Sequence, residues 1–323
     1  MTRLNRNLSS FAFLFATALC CSKLMASDAN FTGPLLTPNP VTIPKGMLVV
    51  EPYLMQYQSN SAYDSHGRER SAGSSVRQWQ TLVPIFYGVT DRFQVQASVG
   101  AAHAMSGGSS TRGWGATDTS VGVQYMLLAP TNKTPGVSVN YSHRFPTGTY
   151  DRLNENPLDG IGNGANVDTF SLMAQQEVQL PNGRPLRLRA VASYSLPPSR
   201  VELKGANAYA SDVPHDFRGG VRLGNAFGIS TSAEYSINSQ WVLALDLAYN
   251  RTGSSILKGS SGSGALATPL EKRSSSRSVY SLAPAVEYNF NERFGLIAGV
   301  QFSFAGRNND AFVTPMAAFD MVF

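Results

Sequence analysis

The chain has 323 residues, 42% hydrophobic and only 15% charged, against roughly 25% charged in an average soluble domain. Its mean hydropathy of −0.13 is too low for a helical membrane bundle. Together with 29 glycines, 18 prolines and 13 tyrosines, this excludes a polytopic helical membrane protein, a coiled coil and a disulfide scaffold. A membrane protein whose apolar residues occupy alternate positions remains open.

The first element is an export signal. Arg3 and Arg6 precede an apolar run from Phe11 to Cys21, followed by Leu24, Met25, Ala26 and Ser27. A positive start, a short apolar core and a small residue at the exit make a secretory signal peptide, residues 1–26, cleaved after Ala26 with Ser27 as the alternative. The apolar run is too short to span a bilayer, which needs ~20 residues. Cys20 and Cys21 both lie in this segment, and Leu19 is too bulky for a lipidation signal, so the exported chain carries no cysteine. Removing residues 1–26 takes away Arg3, Arg6 and Lys23 and no acid. The net charge then falls from +5 to +2, with 23 basic against 21 acidic side chains. The basicity that would favour nucleic acid leaves with the signal. Residues 27–45 carry Pro34, Pro38, Pro40 and Pro44 and are expected to form a short extended periplasmic segment rather than a plug.

From residue 46 to 323 the chain reads as about twelve strands, near 46–58, 76–88, 92–103, 113–128, 136–145, 167–178, 186–196, 218–237, 241–251, 277–290, 293–304 and 311–323. The signal is period-two alternation. Phe93, Val95, Ala97, Val99 and Ala101 share one face, with Gln94, Gln96, Ser98 and Gly100 on the other. Trp241, Leu243, Leu245, Leu247 and Tyr249 stand opposite Ala244, Asp246 and Asn250. Connections alternate in length. Long ones fall at 59–75, 146–166, 197–217 and 252–276, and tight turns at Val89–Asp91, Pro130–Pro135, Pro181–Gly183, Asn238–Gln240 and Asn291–Glu292. Long loops at one end and an even strand number predict an all-β, transmembrane, antiparallel up-and-down β-barrel. The apolar face, with Phe93, Trp241, Tyr249, Tyr288, Phe290 and Phe294 near strand ends, is expected to meet lipid. A lipocalin-like barrel would place it inside.

The last strand ends Phe319-Asp320-Met321-Val322-Phe323. Phe319, Met321 and Phe323 on one face resemble the signal read by the barrel-assembly machinery of Gram-negative bacteria.

Five segments, in order, resemble the outer-membrane family named for a MetA pathway of phenol degradation. They are Pro44-Lys45-Gly46-Met47, Gly88–Val95, Phe145-Pro146-Thr147-Gly148, Pro284–Phe290 and Ala305-Gly306-Arg307-Asn308. The resemblance covers most of residues 40–323. It implies a small outer-membrane channel or transporter, with aromatic or other hydrophobic compounds as solutes.

Twelve strands imply a backbone diameter of roughly 25 Å, so side chains decide whether a pore is open. The lumen or constriction candidates are Glu51, Asp118, Gln124, Arg187, Arg189, Glu234, Asp246 and Glu287. They read either as a charged constriction, with Arg187 and Arg189 facing acids, or as a network that fills and rigidifies the barrel. The histidines, His66, His103, His143 and His215, are expected at the loop end and share no ligand spacing, so no metal site is assigned. Ser142 and His143 are adjacent on one strand and point to opposite faces, so they form no nucleophile–base pair. No catalytic residue or cofactor is expected. The loop Asp151–Asn166 has oxygen ligands between glycines but lacks the calcium-loop pattern. The Ser/Gly-rich loop 252–276 carries Lys258, Lys272, Arg273 and, just beyond, Arg277, and is expected either to meet anionic lipopolysaccharide or to be simply mobile.

The sequence therefore predicts a monomeric outer-membrane barrel passing small, hydrophobic or aromatic solutes by diffusion. The alternative is a closed barrel acting as an adhesin or envelope-stabilising protein through its external loops. Expected partners are outer-membrane lipids, lipopolysaccharide, the assembly machinery and small solutes, without nucleic acid.

Overall fold

A computed structural model describes residues 30–262 and 267–323. The expected signal peptide and its cleavage site lie outside the described residues.

Twelve strands close into one antiparallel barrel. They are β1 (Leu48–Val50, resuming at Tyr53–Tyr63), β2 (Glu69–Thr90), β3 (Phe93–Ser106), β4 (Thr119–Leu128), β5 (Gly136–Phe145) and β6 (Val167–Gln179). The rest are β7 (Pro185–Leu196), β8 (Ala226–Ser236), β9 (Trp241–Thr252), β10 (Arg277–Asn289), β11 (Phe294–Arg307) and β12 (Asn309–Val322). Each pairs with the next, and β12 returns to β1 through Ala317↔Leu54 and Val49↔Val322. Closure leaves no sheet edge inside the bilayer, where an unpaired N–H or C=O costs several kcal/mol.

Alternation fixes which face meets lipid. Along β9, Trp241, Leu243, Leu245 and Leu247 are 38–48% exposed, whereas Val242, Ala244, Asp246 and Ala248 are 5% or less. A charge on the outer set would cost ~2–4 kcal/mol at mid-membrane; none stands there from Trp241 to Tyr249, and Arg251 on the same face lies at the loop end. Two aromatic bands bound the apolar belt. At the turn end, Trp241 packs on Tyr288 at 4.7 Å, and Phe319 stacks on Phe294. At the loop end, Tyr141 meets Phe170 at 5.2 Å and Tyr249 meets Tyr280 at 4.6 Å. The final residue is tied in too, since Leu48 and Phe323 exchange backbone hydrogen bonds of 3.0 and 2.8 Å.

Three stretches differ from the sequence expectation. Most of residues 59–75 forms hairpin rather than loop: β1 and β2 run on to a tip at 64–68, where the Asp64 carboxylate accepts from the His66 and Arg68 amides. The expected strand 113–128 begins only at Thr119, preceded by a two-residue piece, Gly115–Ala116, that pairs with β3. The expected strand 218–237 is two strands in two sheets. Arg218–Arg222 joins Val201–Lys204, Ile256–Ser261 and Thr268–Arg273 in a separate four-stranded sheet, and the barrel resumes at Ala226. The chain changes sheet at Gly224, where a Cβ would run into the backbone of Gly253.

That second sheet is a lid with its own core. Phe217 is fully buried among Val201, Leu203, Val221 and Leu257, and the cluster continues into Ala165 and Val167 at the start of β6. Burying such side chains contributes about 1.5–3 kcal/mol each, enough to hold residues 197–225, 253–262 and 267–276 as one folded unit.

Candidate functional site

The segment expected to trail outside the barrel lies inside it. Residues 30–44 enter the turn end of the lumen beside β10, cross it, and leave beside β2 and β3, forming a plug. Four prolines reduce the number of N–H groups this non-sheet segment must satisfy. The wall supplies partners for those that remain. Glu287 Oε2 accepts from the Thr32 and Gly33 amides at 2.8 and 3.3 Å. Asp246 accepts from the Leu36 and Thr37 amides at 3.3 and 3.0 Å and from the Thr37 hydroxyl at 2.7 Å. Gln94 accepts from the Ile43 amide at 2.7 Å. In the other direction, Arg189 donates to the Thr37 carbonyl at 3.2 Å and Gln124 to the Asn39 and Pro40 carbonyls at 3.1 and 3.0 Å. Ser138 also donates to Pro40, and Asn289 to Asn30 at 2.9 Å.

Wall glycines make room for this chain. A Cβ on Gly295 would land on the Thr32 hydroxyl, one on Gly299 would come within 2.8 Å of Leu35, and one on Gly88 would strike the carbonyls of Ile43 and Pro44. Leu35 then joins Ala244, Ala283, Ala285 and Ile297 in a buried apolar cluster inside the barrel.

The predicted lumen residues fall in four places. Arg187, Arg189, Glu234, Asp246 and Glu287 come together on the β7–β10 wall. Arg187 Nε donates to Glu234 at 2.8 Å, Arg189 lies 3.4 Å from the same carboxylate and donates to Gln175 at 2.8 Å, and the Arg187 guanidinium covers the ring of Phe31 at 4.2 Å. Gln124 holds the plug from the facing wall. Glu51, in the break of β1, lines a cavity beside the plug with Asp320. Asp118 is the exception. Because β4 starts one residue later, Asp118 stands at the loop end, where it accepts from the Gly148 and Asn163 amides at 3.1 Å each and scaffolds loop 146–166. Phe31, Thr32, Thr37, Gln94, Ser138 and Asn289 were not singled out in the sequence. The proline spacing and the glycines on lumen positions were the available signal.

Three cavities stack above and around the plug. The deepest, about 380 Å³, is mostly apolar, with Leu36, Val41, Tyr53, Phe86 and Ile297 beside Glu51, Asp320 and Arg189. It shares Leu36, Pro38, Gln96, Asn140, Ser171 and Gln301 with a second cavity of about 430 Å³ in mid-lumen. That one shares Ser142 and Thr169 with a vestibule of about 970 Å³ at the loop end, one side of which is the lid. Burial pushes the Tyr209 hydroxyl in the vestibule up to about 12, against the opposing pull of Arg144 and Arg277.

The histidines do not converge. His143 lies on the outward face, bonded to Asp168 at 2.8 Å and Asn166 at 3.2 Å, while Ser142 lines the lumen. His103 is bonded to Thr111. Among the described residues no three His, Cys, Asp or Glu side chains are grouped to hold a metal. In loop 146–166, Glu155 and Asp159 bind Arg112, and the Arg112 amide and guanidinium hold the Asp159 carboxyl below the usual carboxylate range.

The family described as "Putative MetA-pathway of phenol degradation" matches residues 60–312. No curated protein sequence matches the chain. Among solved structures, the COG4313 outer membrane channel from Pseudomonas putida F1 aligns at a TM-score of 0.63 and 16% identity, covering 88% of this chain and 98% of that one. The transport unit of the autotransporter AIDA-I from Escherichia coli aligns at 0.50 and 10% identity, covering 85% and 90%. At these identities the likeness establishes the outer-membrane barrel fold.

Proposed function

The chain belongs to the family described as the MetA-pathway of phenol degradation, and from this premise we propose that it is an outer-membrane channel for small aromatic or other hydrophobic solutes. The observation that carries the reading is the line of three connecting cavities, polar at the loop end and apolar where it reaches the plug. A solute entering from outside exchanges hydroxyls and amides for Leu36, Tyr53, Phe86 and Ile297, and burial there is worth ~25 cal/mol per Å² of apolar surface. The P. putida protein of the same fold is itself described as an outer membrane channel. Residues 1–26 serve as the export signal in this reading, and the lid faces the cell exterior.

The plug supports a second reading, a closed barrel working through its lid and loops. Single-channel conductance in a planar bilayer, with and without phenol, separates the two. Steady conductance blocked by phenol supports the channel. A folded but silent barrel, silent also when residues 30–43 are deleted, supports the closed one.

A further inference from the structure

We propose that the loop-end vestibule is a binding site for the carboxylate of a small organic anion, recognised by Arg144 and Arg277. The inference deepens the channel reading and rests on it for the solute's onward path.

The vestibule's lining is one-sided in charge. It includes Arg144, Lys272 and Arg277, but among the described residues no Asp or Glu. The nearby acids are engaged. Asp118 accepts two backbone amides, and Asp212 pairs with Lys272 at 2.8 Å. That pairing neutralises Lys272 and leaves the arginines. Arg277 forms no ion pair within 4.0 Å among the described residues. Arg144 reaches Asp118 only at 4.0 Å, and its Nε is buried without an acceptor. The rest of the Arg144 side chain is open, 41% exposed, and Arg277 is exposed too, so their guanidinium edges can take a planar carboxylate through two parallel bonds. Both arginines line the same cavity as Tyr209, whose hydroxyl feels both of them and, with opposite sign, Asp118. Serine and threonine hydroxyls around them supply further donors.

The chamber's floor gives the ligand a direction. Ser142 and Thr169 lead down to the mid-lumen cavity, and from there the path continues to the mostly apolar lower one. The carboxylate therefore stays between the arginines while the apolar end points inward. Aromatic or aliphatic monocarboxylates fit this arrangement better than neutral or cationic analogues.

The test uses protein expressed at full length and purified from outer membranes, with heat-modifiability on gels as the check of folding. Benzoate, benzyl alcohol and benzylammonium are added to the loop side of a planar bilayer. Benzoate is expected to block at concentrations about tenfold below benzyl alcohol, and R277Q to remove most of that difference. R144Q should act in the same direction. Equal block by benzyl alcohol, or stronger block by benzylammonium, overturns the proposal. If the barrel is silent, calorimetric titration with benzoate decides. Saturable binding lost in R277Q upholds the site while the channel reading falls, and no binding overturns the site as well.

Discussion

The guanidinium of Arg187 is shared between Glu234 of the neighbouring strand, bonded at 2.8 Å through Nε, and the ring of Phe31, covered at 4.2 Å. One side chain thus joins the barrel wall to the plug. Both charged partners are almost fully buried, so the pair's desolvation is already spent and the loss of one member is what matters. Arg187→Ala should destabilise the barrel by ~3–5 kcal/mol by leaving Glu234 under-compensated. Arg189, 3.4 Å away, limits the damage. The R187A/E234Q double variant should be more stable than R187A alone, as read from the temperature at which the folded gel band is lost.

Asp246 is the acceptor for three donors of the plug, the Leu36 and Thr37 amides and the Thr37 hydroxyl. Asp246→Ala leaves all three without a partner, at about 1–3 kcal/mol each if they stay buried. The plug should therefore loosen. Conductance should rise and residues 30–43 should become cleavable by added protease, whereas Asp246→Asn, which keeps one acceptor oxygen, should give a smaller rise.

Gly295 faces Thr32 with no space for a methyl group. Gly295→Ala should displace the plug locally and raise conductance. Adding Thr32→Gly should restore the wild-type level, because the methyl then occupies the volume the threonine gave up. If the double variant behaves like G295A alone, the fit between these residues is not what seats the segment.

The hairpin tip gives a pH dependence. The Arg68 amide, with the Arg70 side chain and the His66 amide, lowers the Asp64 carboxyl to about 2. A folded value below the ordinary 3.8 means that the ionised form favours the folded tip above about pH 4, and that this preference is lost as pH falls through about 2. Protection of the His66 and Arg68 amides from hydrogen exchange should hold at pH 4 and collapse near pH 2. Asp64→Asn should flatten the profile.

The barrel was legible because its information is local. Alternation at period two fixes strand and facing within ten residues, so Trp241 to Tyr249 could be placed outside without a partner strand in view. Arg187, Arg189, Glu234, Asp246 and Glu287 were legible for the same reason. Asp118 was misplaced because its facing is meaningful only if the strand reaches it, and the chain leaves the sheet there. The break at 223–225 was hidden because alternation continues through two different sheets. The plug was not legible because its partners are remote: Thr32 meets Glu287 across 255 positions and Thr37 meets Asp246 across 209. No pattern within 30–44 encodes those contacts, and the prolines imply extension without saying where.

The same separation orders assembly. The acceptors for residues 32–37 lie on β9 and β10, and Gly295 and Gly299, which accommodate Thr32 and Leu35, lie on β11. The chain's leading segment therefore has no seat until the trailing strands have inserted, and closing a loop of that length early would cost entropy with no contact to offset it. Residues 32–37 are the last to find their place, so a seated plug marks a completed wall, and a barrel stalled before β11 would leave Pro34 and Pro38 unshielded and open to protease.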